Sequence, residues 1–400
     1  MLRFVMSDSH QSKVSVGDLV EVEVGVVAHG GHFIAHHDGI TIFVRGADTG
    51  EHVVVEIDEL TKKIARGHVV EVKRPSSNRV TPRCPYYINS ACGGCDFQHL
   101  TLDHQKDLKV KVVADSMKRI GGIDLIPELI EVPGDGFDWR TRMDFNASPG
   151  GRLALHPARS NSLTEISECA IAAREINIEQ INLDLEQRQG AWGERIRVGI
   201  DASSYVHTTL LKRSRLKHQV LDEIFEVSLE SFWQPHRLAP EMLVRELQRF
   251  LHGRKGERIF DLYGGVGLFS AFISKMVGES GEVILVESDM SSIKDAQRKF
   301  KEISSVKVIE SDVKNFLGKE KDVDRIVLDP PRTGAGSAVV KEMVRLAPKQ
   351  ILYISCDPAT LARDSKELVS AGYAIASLSL LDLFPNTEHV ESVANFIITP

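Results

Sequence analysis

The chain reads as an α/β protein, with a doubly wound parallel sheet towards its end, a small OB-like β-barrel at its start and an α+β segment between them. Three observations carry this. From about residue 256, short β-branched strands alternate with helix-length stretches. Residues 13–74 instead hold alternating apolar and polar runs split by glycine turns. A length of 400 residues also exceeds what one hydrophobic core ordinarily serves. The expected units are 10–74 for the barrel, 75–235 for the central domain and 236–400 for the sheet domain. Part of 98–125 is expected to pack on the last of these.

In the barrel, Leu19–Val26, Ile40–Val44 and His52–Ile57 fit half-buried strands, with turns at Gly30-Gly31, Asp38-Gly39 and Thr49-Gly50. Lys62, Lys63, Arg66, Lys73, Arg74, Arg79 and Arg83 then follow against one nearby acid, Glu71, and a second basic stretch runs from Lys212 to His218. Two basic islands in a chain of net charge −7 point to local contacts with nucleic acid rather than a global attraction. In the sheet domain, Arg258–Asp261, Glu282–Glu287, Val306–Glu310, Arg325–Asp329 and Gln350–Ser355 are the strands. Leu268–Met276, Met290–Lys301 and Ser337–Leu346 are helices between them. Ala374–Leu383 and Ser392–Thr399 lie too close for an intervening helix and predict a closing hairpin at the sheet edge.

With 42% hydrophobic and 26% charged residues, the chain is neither disordered nor membrane-embedded. Its first ten residues lack a signal-peptide core and no run is long enough to span a bilayer, so a cytoplasmic protein without membrane attachment is expected. Five cysteines, an odd and sparse number, fit a reducing compartment in which thiols bind metals or react.

The run Asp261-Leu-Tyr-Gly-Gly-Val-Gly267 follows a strand and precedes a helix, so Tyr263 and Gly265 sit where a backbone approaches a ligand. Glu287 ends the next strand, placed for ribose hydroxyls, and Asp312 ends the third, placed for an adenine amino group. The loop lacks the full spacing of a nicotinamide site and the sheet closes with a hairpin, which together favour S-adenosylmethionine. Asp329-Pro-Pro-Arg332 and Ser355-Cys356-Asp357-Pro358 share the same rim, as does Phe384-Pro-Asn-Thr-Glu-His-Val-Glu391. Cys356 is a candidate nucleophile, and the helix starting near Ala359 is expected to lower its pKa. Cys84, Cys92, Cys95 and Cys169 form a ligand set without histidine, which fits structural zinc or a [4Fe–4S] cluster; spacing does not choose.

Taken in order, Phe232-Trp-Gln234, the 261–267 loop, Asp329-Pro-Pro-Arg332, Ser355 to Asp364 and Phe384 to Ser392 resemble the RNA 5-methyluridine (uracil-C5) methyltransferases over nearly the whole chain. The resemblance implies a class I S-adenosylmethionine-dependent methyltransferase domain, Rossmann-like, behind a TRAM barrel that binds RNA. It implies Cys356 as nucleophile and Glu391 as general base, with Glu388 the fallback, and Gln234, Tyr263, Glu287, Asp312 and Asp329 around the cofactor. It also selects the iron–sulfur cluster over zinc. Barrel and cluster together favour ribosomal over transfer RNA as substrate of a monomeric enzyme. A transfer-RNA enzyme and a noncatalytic RNA-binding iron–sulfur protein are the alternatives. The chain departs from the family in the long Cys84–Cys92 spacing and in carrying Gly264, Leu268 and Asp357.

Overall fold

A computed structural model of the chain describes residues 14–187, 193–210 and 215–398. Residues 10–13 of the expected barrel, Lys212 to Ser214 of the second basic stretch and Thr399 of the last strand lie outside them.

Five strands, β1 (Leu19–Ala28), β2 (His32–His37), β3 (Ile40–Arg45), β4 (His52–Leu60) and β5 (Ile64–Arg74), close a barrel in the order β1-β2-β3-β5-β4, with β4 returning to β1. The period-two pattern sets the pleat. Val20, Val22 and Val24 point inward while Glu21 and Glu23 face out. The basic run that follows is not the free stripe its local composition suggests. Arg66 pairs with Glu59, Lys73 with Glu71, Arg74 with Glu23, Arg79 with the buried Glu51, and Arg83 with Asp135. Strand pairing and tertiary contacts bring in acids that a count along the chain cannot see.

Next come α1 (Pro85–Ile88), α2 (Leu102–Ser116), which runs on into a π-helical turn at Met117–Gly121, and β6 (Glu128–Ile130). The central sheet comprises β7 (Arg142–Ala147), β8 (Leu153–Leu155), β9 (Thr164–Glu165), β10 (Arg195–Ile200) and β11 (Val206–Thr208), ordered β11-β10-β7-β8-β9, with α3 (Ile178–Glu186) packed on it. A ribbon of β12 (Arg215–Val220) and β13 (Glu223–Ser228) leads out. In the ribbon, His218 is stacked on Trp233 rather than offered to solvent, so the described end of the second basic stretch is partly core.

The last unit contains α4 (Ala239–Phe250), β14 (Arg258–Leu262), α5 (Leu268–Val277), β15 (Glu282–Glu287), α6 (Met290–Lys299), β16 (Val306–Glu310) and α7 (Val313–Leu317). It continues through β17 (Arg325–Leu328), α8 (Gly336–Leu346), β18 (Gln350–Ser355), α9 (Pro358–Ser370), β19 (Tyr373–Leu381) and β20 (Glu391–Ile398). Strand order is β16-β15-β14-β17-β18-β20-β19-β6. The first five are parallel and β20 runs antiparallel between β18 and β19. The predicted hairpin forms, but it does not end the sheet. β6, from ahead of the central sheet, pairs in parallel with β19 and supplies the edge. α2 and its π-helical extension pack on α9, so the upstream segment on the sheet domain reaches Ile130. The strands are near-continuous apolar runs because helices cover both faces. Among the described residues no helix is long and apolar enough to cross a membrane.

Candidate active site

A parallel sheet presents the carboxyl ends of its strands on one rim, where loops are free to carry ligands and chemistry. Tyr263 and Gly265 follow β14, Glu287 ends β15, Asp312 follows β16, Asp329 follows β17 and Cys356 follows β18. β20 is antiparallel, so its first residue, Glu391, lies on that same rim. Ser355 pairs with Ser392 in register, which sets Cys356 and Glu391 across from one another.

The loop after β14 is bent for close approach. Gly267 has φ of 91°, and a Cβ there would lie 2.3 Å from the Phe300 ring, so only glycine starts α5 at this point. Tyr263 also has positive φ, at 58°, a costly conformation for a tyrosine. Gly264 has an account too: a Cβ would stand 2.6 Å from Leu285 Cγ. A Cβ at Gly265 would meet nothing within 4 Å, which leaves backbone facing open space beside Glu287. Glu287 is pinned there, taking the Gly265 N–H on Oε2 (2.9 Å) and the Ser288 and Asp289 N–H groups on Oε1 (2.6 and 2.8 Å). Asp312 accepts the Asn315 N–H (3.0 Å) and so caps α7 as well as standing near Tyr263. Gln234 is buried, and among the described residues no hydrogen bond ties its side chain to the other candidates.

Three carboxyls run through this rim. Asp261 accepts the Ser270 N–H and hydroxyl on Oδ2 (2.9 and 2.6 Å), while its buried Oδ1 has no partner. Burial pushes Asp261 up to about 7, helped by Glu287. Burial and the neighbouring Asp261 carry Asp329 up to about 7 as well. Glu391, 3% exposed, is raised well above the usual carboxylate range by burial and by Asp329. Cys356 closes the chain. Burial, then Glu391 and Asp329, push its thiol up to about 12, against a smaller opposing effect from Arg332. This reverses the expectation of a lowered thiol pKa: α9 does begin at Pro358, but desolvation and two carboxyls outweigh its dipole.

Sequence reasoning missed several residues that shape the rim. Asp357 caps α9 through the Thr360 N–H (2.8 Å) and meets His29 of the barrel at 3.1 Å. Against burial, those two partners hold Asp357 down at about 2. The barrel turn is wedged in place. Gly31 has φ of 69°, and a Cβ would lie 2.7 Å from Glu388 Cβ and 3.2 Å from Asp96 Cβ. Read as a mere turn, Gly30-Gly31 is in fact where the barrel touches the rim. The loop after β17 is held by α9, with the Thr360 hydroxyl donating to the Arg332 carbonyl (3.2 Å) and Arg363 donating to that of Thr333 (2.9 Å). Arg332 reaches the His389 ring, and His389 meets Glu388 (3.1 Å), so Glu388 is engaged there while Glu391 faces the thiol. Beneath the loop, Lys109 of α2 is 1% exposed and donates to Asp382 (2.6 Å) and the Phe384 carbonyl (2.9 Å). Removing one partner of such a buried pair ordinarily costs about 3–5 kcal/mol.

The other four cysteines line one cavity of ≈ 260 Å³, with Gln98, Arg140 and His156 among its walls. They form no disulfide. Gln98 donates to the Cys95 sulfur (3.2 Å) and the Gly94 N–H to that of Cys92 (3.4 Å). Burial pushes the Cys92, Cys95 and Cys169 thiols up. Among the described residues no group of three or more His, Cys, Asp or Glu side chains is placed to hold a single metal ion.

A sequence profile described as tRNA (uracil-5-)-methyltransferase matches residues 203–397, and a TRAM domain profile matches 13–70. An uncharacterized RNA methyltransferase of Streptomyces coelicolor is 35% identical over 95% of this chain and 93% of its own length. The chain belongs to the RNA uracil-5-methyltransferase family. The 23S rRNA (uracil(1939)-C(5))-methyltransferase RlmD of Shewanella sediminis is 29% identical, with 99% of each chain covered. The crystal structure of the Pyrococcus abyssi tRNA (uracil-54, C5)-methyltransferase, in complex with S-adenosyl-L-homocysteine, superposes with a TM-score of 0.72 at 23% identity, covering 94% of this chain and 99% of that one. The fold over nearly the whole length is thus shared with that enzyme.

Proposed function

We propose that the chain is a cytoplasmic, monomeric methyltransferase that methylates carbon 5 of a specific uridine in 23S ribosomal RNA, with Cys356 as nucleophile and Glu391 as base. The observation that carries the chemistry is the register of β18 and β20, which sets a thiol against a buried carboxyl. The ribosomal substrate rests on full-length similarity to relatives named for 23S rRNA.

Carbon 5 of uracil is a poor nucleophile until electrons are pushed onto it. Cys356 passes its proton to the facing Asp329 carboxylate as its sulfur bonds to carbon 6, and the ring electrons move through carbon 5 to the carbonyl. S-adenosylmethionine, when bound, supplies an electrophilic methyl group for carbon 5. Glu391 then takes the carbon 5 proton, the ring double bond re-forms, and the sulfur leaves as thiolate. Raised proton affinity suits Glu391 to that step, and the thiolate regains a proton from the same neighbourhood. The residues present fit the cofactor: the open backbone at Gly265 beside Glu287, and the unpartnered Oδ1 of Asp261, are polar groups left for a ligand. The target base must leave its stack to reach Cys356, at a cost of about a few kcal/mol.

The four-cysteine cavity fits a [4Fe–4S] cluster in the same reading. N–H groups aimed at two sulfurs, and Arg140 in the wall, suit a negatively charged thiolate centre. Cys84, Cys92, Cys95 and Cys169 would hold it, serving structure and RNA positioning.

Mass-spectrometric mapping of 5-methyluridine in ribosomal and transfer RNA, from cells with and without the gene, tests the substrate. Loss at one 23S position is expected. Loss confined to transfer RNA would establish the second reading, which the shared fold with a transfer-RNA enzyme supports.

A further inference from the structure

Glu391 makes no side-chain hydrogen bond among the described residues, so its position depends on the backbone that carries it. The loop from Asp382 to Val390 enters that backbone, and one of its anchors is Asn386. Asn386 is 2% exposed with φ of 67°, a left-handed conformation that asparagine tolerates better than most residues. Each of its polar groups has a partner. Its N–H donates to Gln105 Oε1 (2.8 Å), and its Oδ1 accepts from Gln105 Nε2 (3.2 Å). Its Nδ2 donates to the Gly136 carbonyl (2.7 Å), and its own carbonyl accepts the Asp96 and Phe97 N–H groups (2.9 and 3.0 Å). Gln105, fully buried on α2, also donates to the Phe97 and Leu100 carbonyls (3.0 and 2.9 Å). The Asp96 carboxylate takes the Glu388 N–H (3.0 Å), two residues further along the same loop. Three segments, each far upstream of Asn386 in sequence, therefore meet it: α2, the stretch after Cys95, and the turn at Gly136.

We propose that Asn386, held by Gln105, is a positioning residue that sets Glu391 for removal of the carbon 5 proton. A loop that only closed the β19–β20 hairpin needs no such set of buried polar contacts from other parts of the chain, and each one fixes the base without touching substrate. The inference rests on Glu391 being the base, and its signature falls on one step. With the base displaced, the sulfur–carbon 6 bond and the new methyl group form as before. The carbon 5 proton then stays on, and the enzyme stays attached to RNA.

The test uses the full chain, S-adenosylmethionine and an RNA fragment that the wild type methylates. Asn386→Gly keeps the left-handed backbone and removes the side-chain bonds to Gln105 and Gly136. Its kcat is expected to fall on the order of tenfold or more, with KM for RNA within about twofold, because displacement of a reacting group acts on the chemical step. Denaturant-resistant, methylated protein–RNA adduct is expected to accumulate, and Asn386→Asp, which keeps the acceptor toward Gln105, to recover part of the rate. Should Asn386→Gly melt early, Gln105→Glu reads the same step, since it retains only the acceptor for the Asn386 N–H. Wild-type kcat and adduct level, or a rise in KM alone, would overturn the positioning role. Glu391→Gln separates the layers. If it turns over normally, the base assignment itself falls. If it traps adduct while the Asn386 variants do not, only the positioning role falls.

Discussion

The molecule buries thiols in two places, and the two environments differ in kind. Around the four-cysteine cavity the thiols face one another, two N–H groups and the Arg140 side chain. At the rim a single thiol faces Glu391 and Asp329. Burial raises the pKa of Cys92, Cys95 and Cys169 in the first place and of Cys356 in the second, yet what relieves each is different. Mutually facing thiols become favourable as thiolates only when a cation-rich centre neutralises them together. A thiol beside carboxyls ionises only as its electrons move into a bond, with a carboxyl placed to handle protons. On the proposed reading, the first arrangement holds a cluster permanently and the second binds and lets go.

The largest expected effects come from exchanging one thiol in each place. Cys356→Ala should abolish methyl transfer and adduct formation while leaving any visible absorption of the purified protein intact. Cys95→Ser should remove that absorption. The contrast breaks if Cys356→Ala still methylates RNA, or if neither wild type nor variant absorbs after anaerobic purification. A smaller effect lies within the rim. Asp329 raises the proton affinity of Glu391, so Asp329→Asn, having one negative charge fewer, lets Glu391 lose its proton at lower pH. The acidic limb of the kcat profile, measured at saturating cofactor, should move to lower pH. An unchanged or upward-shifted limb would remove Glu391 from the proton transfer.

The smallest effect concerns the barrel contact. The hydrogen bond to Asp357 raises the His29 pKa above 6.5, while Asp357 stays ionised down to about 2. The stabilisation is therefore full below the unfolded histidine value and is lost as pH rises through the raised one. His29→Gln should lower the melting temperature more at about pH 6 than at about pH 8.5. Because His29 is 46% exposed, the effect should stay within about 1 kcal/mol. Equal effects at both pH values would reduce the contact to shape alone.

What the sequence showed and what it hid follow from the range of the interactions. The strands β14, β15, β17 and β18 were legible because burial on both faces makes each a near-continuous apolar run, unlike the edge strand β16. Cys356 and Glu391 were legible as motif residues, but their juxtaposition comes from an antiparallel register that no single strand encodes. β6 is three residues with no periodicity, and its partner lies at Ser379–Leu381, so nothing local announces it. Asp357 read as a departure until the fold brought His29 beside it. Gln105 and Lys109 sit as polar residues on the buried side of α2, a pattern that obscures helical periodicity.

β6 has a consequence for how this protein is made and cut. Its partner strand is synthesised some 250 residues later, after the whole central domain has emerged. A nascent chain therefore holds this strand in waiting across a long loop closure, which slows assembly of the sheet. Cutting the gene at residue 236 would yield a fragment whose β19 edge is bare and whose α9 has lost α2, a template for association between copies. An excisable catalytic unit would have to fuse residues 102–130 directly to those from 236 onward.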